Sequence, residues 1–417
     1  RSMGARPSTP LGLNGGSLRT SANPLGLNGG SLPVPTNRAK NLLRIEATRI
    51  FRRAHAVKVV STLGRDLRIA IPRVLSLYRA APLLTHYFEA LGVPASQLVT
   101  GAFTSEDLWR RSAGRGTTDA CFPAKVAQAH IAELLARRDV APFDVLFFPV
   151  LTHAVTGVKG CLDTAACPVV ACTPLVTRMA FGAAADGTLP NGVRLLTPTI
   201  VLSRRKELSA GLYESTRTLL PALPREVHEL ALAEGLAGQR RSEHLLEQLG
   251  AAAIREGASA GRCAIVLLGR PYHADPGLHH ELGSELVSLG RTAMSLRALP
   301  HSPEMLASIG CTSTYDLSDL SFLTNSGDGE RLAGARLVGR HPFLVAIDLS
   351  SFKCGQDAAL YGRVAEAARG PEGKPFLALH DLDETRPVAS LRLRVRTFLD
   401  GVERWEARAA RRPPGVA

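Results

Sequence analysis

Short apolar runs alternating with amphipathic stretches recur along this chain, and that alternation leaves it few ways to fold. The runs are Leu67–Ile71 (LRIAI), Gln97–Thr100, Asp144–Val150 (DVLFFPV), Val169–Cys172, Cys263–Leu268 (CAIVLL), Phe343–Leu349 (FLVAIDL) and Pro375–His380. Each has the length of a strand buried on both faces, whose side chains need not alternate in polarity. Between them lie helical patterns: from Pro72 to about Leu91, from Thr104, from Pro123 to Arg137, from Pro174 to Phe181, around 278–289, from Asp357, and from Ala389 to near Arg411. Buried strands separated by helices predict parallel sheets covered by helices on both faces. Residues 204–260 carry helical pattern without strand signals. The expected fold is therefore α/β, with two Rossmann-like lobes at 39–203 and 261–411 joined by a helical connector.

At either end the pattern lapses. Residues 1–38 contain the unit PLGLNGGSL twice, at Pro10–Leu18 and Pro24–Leu32, and read as a flexible tail. A helix over about Arg38–Ala54 leads into the first lobe, and 412–417 form a second short tail. Because numbering opens at Arg1, the natural start is expected upstream. No stretch reaches the ~20 apolar residues of a membrane span, and no signal-peptide pattern opens the chain. The expected location is cytoplasmic.

The chain has 417 residues and a net charge of +13, and a basic balance can signal a nucleic-acid partner. Here the excess is Arg scattered through helices, and aromatics are only 5%, too few to serve as stacking platforms. The composition thus disfavours nucleic-acid binding. A dinucleotide enzyme is disfavoured too, because no GxGxxG follows any of the expected strands.

Seven cysteines stand at 121, 161, 167, 172, 263, 311 and 354, with no CxxC pair. That spacing argues against a zinc ribbon, a thioredoxin site and a bacterial ferredoxin. Any cluster must draw its ligands from distant segments. Cys121 precedes a helix start marked by Pro123, where free N–H groups and the dipole favour a thiolate. On spacing alone, ligand and packed core thiol are equally supported there. Cys167, flanked by Cys161 and Cys172, opens the expected strand and turn 167–174. Cys354 follows the strongest strand of the second half, and Gly355 permits close backbone approach. Cys263 lies within a strand run and Cys311 in a polar loop, which suits core and surface roles. The turn 269-GRPYHADPGLHHEL-282 presents Arg270, Tyr272, His273 and Glu281 as candidate groups at a substrate crevice. A capped turn with surface histidines is the competing reading. Adjacent His279 and His280 point in different directions and make a poor metal pair.

Six segments, in this order and spacing, resemble one family: 71-IPRVLSLY-78, 119-DACFPAKVAQAHI-131, 144-DVLFFPV-150, 166-ACPVVACTPLVTRMAF-181, 266-VLLGRPYHADPG-277 and 350-SSFKCGQD-357. They are similar to the domain of acyl-CoA dehydratase activase-related proteins, relatives of the 2-hydroxyglutaryl-CoA dehydratase subunits. The resemblance implies an oxygen-sensitive [4Fe–4S] cluster held by Cys121, Cys167 and Cys354, with 39–203 as the main cluster-binding lobe. Cys161 and Cys172 are additional to that set. It also implies an ATP-hydrolysing activator as electron donor, an acyl-CoA as substrate and a second dehydratase-like subunit as a further partner. In such dehydratases one electron passes to the thioester carbonyl, and the resulting ketyl radical expels a hydroxyl group. The activity implied is a lyase-type dehydratase component or a related acyl-CoA reductive enzyme. The alternatives are a non-catalytic electron-relay or scaffold subunit, and a metal-free binding module. No phosphate-binding pattern of the activator ATPase occurs in this chain, so the electron pump is expected elsewhere. The turn also departs from the family pattern at His279, where a small polar residue is expected.

Overall fold

Ten strands, all paired in parallel, carry the structure, a computed structural model that describes residues 39–52, 56–112, 119–311, 317–383 and 388–410. In chain order they are β1 (Ile69–Ala70), β2 (Leu98–Val99), β3 (Val145–Phe147), β4 (Val150–His153), β5 (Arg194–Leu196) and β6 (Thr199–Val201). The second half adds β7 (Ala264–Leu268), β8 (Ala293–Ser295), β9 (Leu344–Leu349) and β10 (Phe376–Leu379). One four-stranded sheet runs β2-β1-β3-β5 and the other β10-β9-β7-β8, while β4 and β6 form a two-stranded pair. The α/β class with parallel sheets thus holds. Both tails expected at 1–38 and 412–417 lie outside the described residues.

Two prolines explain the short pair. Pro149 separates β3 from β4, and Pro198 separates β5 from β6. A proline cannot donate to the ladder, so both neighbouring strands break at the same level. Pairing then resumes with Val150 against Thr199.

Several elements differ from the sequence reading. Val169–Cys172 is not a strand; it belongs to the first turns of the helix Pro168–Ala180. Pro168 decides this, since proline fits the first turn of a helix, where its missing N–H costs nothing. The helix after Pro72 (Leu77–Ala90) is buried on every side rather than amphipathic. It packs against the long helix Arg225–Ser259, where Gly235 and Gly238 leave room for it. A Cβ at Gly238 would stand 2.3 Å from the His86 ring. Strands β5, β6 and β8 fall outside the expected runs, each being only three residues long. The helix expected around 278–289 is confined to Leu282–Ser288, after left-handed residues His280 (φ 49°) and Glu281 (φ 57°).

Residues 204–260 hold two helices, Arg205–Arg217 and Arg225–Ser259. The longer one contributes Ala231 and Leu232 to the first core and Ala251, Ala253 and Ile254 to the second. The helix Leu42–Ile50 also bridges cores: Ala47 and Ile50 join the first, Leu42 the second and Leu43 a third. Among the described residues no helix is long and apolar enough to cross a membrane.

Candidate functional site

Each of the three cysteines singled out from the sequence is the N-cap of a helix: Cys121 before Phe122–Ala136, Cys167 before Pro168–Ala180, and Cys354 before Gly355–Ala358. Pro123 and Pro168 each fix the first turn that follows. At Cys354 the thiol itself caps, with the Asp357 N–H donating to Sγ at 3.4 Å. All seven cysteines are free thiols.

Cys167 lies near enough to Cys121 to make its ionisation harder. Burial raises the Cys121 thiol, and the N–H of Ala124 pulls it the other way. Cys167 lines a cavity of about 40 Å³ together with Ser76, Arg79, Arg270 and Tyr272. Burial raises the Tyr272 hydroxyl well above its ordinary range; Arg270 opposes that shift, while Cys121, Asp357 and Cys354 add to it. Tyr272 thus shares a cavity with Cys167 and feels the charge of Cys121 and Cys354. Asp119 ties two of the segments together, pairing with Lys125 beyond Cys121 and with Lys353 beside Cys354, each at 2.5 Å. Those lysines pull its carboxyl down to about 2.

Arg270 is held by a buried acidic cage. Its guanidinium donates to Asn325 and Asp328 at 2.7 Å and to Asp357 at 2.5 Å. Gly327 makes room, for a Cβ there would stand 2.2 Å from Arg270 Nη1. Asn325 also caps the helix Ser326–Arg340 and donates to the Ala165 carbonyl, two residues before Cys167. Burial raises the Asp357 carboxyl, but Arg270 and Arg331 outweigh it and leave the group well below its usual range. Arg331 in turn grips Asp348 at 2.7 and 2.5 Å, and Asp348 meets His380 at 2.7 Å. A chain of charges thus runs from beneath the thiols to His380.

The other residues expected at the crevice have different places. His273 is buried, and its Nδ1 accepts from the Arg270 N–H at 3.0 Å. Burial depresses it to about 3, so it is a neutral support for the turn. Glu281 is exposed and accepts from the Ser284 hydroxyl, away from the cavity that holds Arg270 and Tyr272. His279 is buried too, and His280 stacks on Phe122. Among the remaining cysteines, Cys263 is core, Cys172 is exposed, and Cys161 and Cys311 are half-buried against the second core.

The sequence reading missed Asp328, Arg331, Asp348, Asp357 and His380. Asp348 carried the one available signal, a charged residue inside the apolar strand FLVAIDL.

A model of the CoA enzyme activase uncharacterised domain (DUF2229) matches residues 68–299. The chain belongs to that family. The CoA enzyme activase domain accordingly spans β1 to β8 and contains Cys121, Cys167, Arg270 and Tyr272, while Cys354 and Asp357 lie beyond the match. No match was found among the curated proteins or the solved structures.

The donor set suits an iron–sulfur cluster in kind, being three free thiols at helix starts beside a fixed cation. In spacing it is open: among the described residues no three His, Cys, Asp or Glu side chains stand at ion-holding distance. Burial also holds the Cys354 thiol up at about 11, so it is protonated at neutral pH until a cation lowers it.

Proposed function

We propose that Cys121, Cys167 and Cys354 hold a [4Fe–4S] cluster that takes an electron from a separate ATP-hydrolysing activator, for reductive or dehydrating chemistry on an acyl-CoA. What supports this reading is that all three cysteines cap helices, with Cys167 lining the cavity of Tyr272 and Cys121 and Cys354 close enough to shift its hydroxyl. A cluster of this kind supplies single-electron chemistry. The chain's own groups provide the setting. N–H groups at the helix starts offset part of the burial that keeps Cys121 and Cys354 protonated. Arg270 favours the Cys354 thiolate, Asp357 opposes it more strongly, and the acidic cage holds Arg270 in place. The Tyr272 hydroxyl stays protonated at working pH and can donate a hydrogen bond to an oxygen brought into the cavity. Phe352, 80% exposed beside Lys353 and Cys354, gives an arriving partner an apolar foothold.

A second reading, a non-catalytic electron-relay or scaffold subunit of an activase system, is favoured by the open spacing of the three thiols. Anaerobic reconstitution with iron and sulfide, followed by metal analysis and EPR of the reduced protein, tests the cluster, and binding to an activator ATPase without any affinity for CoA would select the second reading. About four irons per chain are expected, lost in Cys354→Ala and retained in Cys311→Ser. Full iron in Cys354→Ala, or none in the parent chain, would sink the cluster assignment.

A further inference from the structure

A cavity of about 310 Å³ opens between the helices Ser326–Arg340 and Tyr361–Arg369, toward their C-terminal ends. That volume is within the range of small-molecule sites. Its lining residues all fall between Leu320 and Pro371, outside the span matched by the family model. The cavity is also set apart from the charge chain beneath the thiols, since Arg340 follows Arg331 by nine residues, about 14 Å along the helix. Leu320 and Leu332 form its floor, and the more exposed Ala367 and Pro371 its wall. Gly339 brings the two helices to backbone contact, because a Cβ there would stand 2.0 Å from the Ala367 carbonyl oxygen.

Three guanidinium groups and one carboxylate complete the lining: Arg336, Arg340, Arg363 and Glu366. Arg336 is committed to Asp319, at 3.0 and 2.6 Å. Arg340 and Arg363 make no ion pair among the described residues, although Glu366 stands one helical turn from Arg363. Arg363 is instead held over the Phe322 ring, 5.6 Å from its centroid. An arginine at the end of a helix ordinarily answers the dipole there. At Arg340 that need is already met, because the buried Lys374 donates from Nζ to the Val338, His341 and Leu344 carbonyls. Both guanidinium groups are exposed and open to a ligand.

Two unpaired guanidinium groups around one cavity match a phosphate, whose oxygens accept bidentate bonds from arginine. We infer that this cavity binds a small phosphate ester, its phosphate between Arg340 and Arg363 and its organic part against Ala367 and Pro371. A bare phosphate would leave that apolar wall uncovered, so an ester is the better match than the inorganic ion. Glu366 opposes the ligand's charge and holds the affinity down, leaving the lining with one net positive charge from its unpaired groups.

The test is calorimetric titration of phenyl phosphate, mostly a dianion at neutral pH and carrying an apolar ring, into the full chain. Arg340→Gln and Arg363→Gln are each expected to weaken binding about tenfold, the loss of one charged hydrogen bond. Both side chains are exposed, so these variants should keep the parent Tm. Glu366→Gln is expected to act the other way and tighten binding about threefold, the effect of one unit charge about 6 Å away in water. Inorganic phosphate should bind more weakly than the ester. No binding of phenyl phosphate, or the parent affinity in both arginine variants, overturns the inference. Equal affinity for benzoate overturns the choice of a phosphate.

Discussion

At the scale of single residues, Arg270 is the group on which the candidate site depends most. Its guanidinium is 8% exposed and neutralises Asp328 and Asp357, which are themselves almost wholly buried. Removing one partner of a buried ion pair leaves an uncompensated charge, which typically costs about 3–5 kcal/mol. Arg270→Met should therefore lower unfolding stability by that amount in urea titration; a loss below about 1 kcal/mol would mean that the acids find other partners. Gly327→Ala tests the same cage more gently. The added methyl displaces Nη1, so the fold should survive while cluster uptake in reconstitution falls. Uptake at the parent level would show that Arg270 has room to move. None of this pairing was legible beforehand, because Asp328 and Asp357 lie 58 and 87 residues from Arg270. The cap at Cys121 was legible for the opposite reason, since capping is local and Pro123 announces the helix start, whereas Cys167 was read into a strand although Pro168 starts a helix there.

At the scale of elements, the sequence spoke clearly where strands are long and poorly where they are short. β7, five apolar residues, and β9, six residues apolar but for Asp348, fall within one residue of the expected runs. β5 and β6, at three residues each around Pro198, carry too little pattern to register. The run Val169–Cys172 misled because adjacent valines favour strands, whereas the proline before them sets a helix. The buried helix Leu77–Ala90 shows a different limit. Its amphipathic look came from Arg79, Thr85, His86 and Glu89, all buried: Arg79 meets the distant Val155 carbonyl and Glu330, while Thr85 and His86 bond carbonyls of their own helix. The close approach of its neighbour supplies the prediction at this scale. Gly238→Leu must push a side chain into the His86 ring, which hydrogen-bonds the Pro82 carbonyl at 2.7 Å. Overpacking of this kind costs about 1–3 kcal/mol, and thermal unfolding should show a clear drop in Tm. An unchanged Tm would mean that the two helices can separate without penalty.

Across the whole molecule, the acid limb of stability should belong to histidines rather than carboxylates. His228, His279 and His341 are depressed to about 4 and His273 to about 3, burial being the first cause in each case. At His341 the Nδ1 accepts from the Phe343 N–H at 3.2 Å, which favours the neutral ring, while the Ile309 carbonyl, 3.1 Å from Nε2, opposes burial without overcoming it. The unfolded chain protonates all four near their ordinary value of 6.5, whereas the folded chain resists until about 4 or below. Unfolded molecules therefore bind more protons in that window, and linkage requires stability to fall as pH drops through it. Carboxylates held low, such as Asp119 at about 2 and Asp357 lower still, keep their contribution until the solution is more acidic than the histidine window. The net charge of +13 grows as histidines ionise in unfolding molecules, which adds repulsion against refolding. Calorimetry at pH 7.5, 6 and 5 should thus record a steadily falling Tm. In His341→Gln, whose amide can still donate and accept, the fall should be shallower because one titrating group is gone. A slope identical to the parent's would show that His341 takes up its proton in the folded state, and that burial does not hold it neutral.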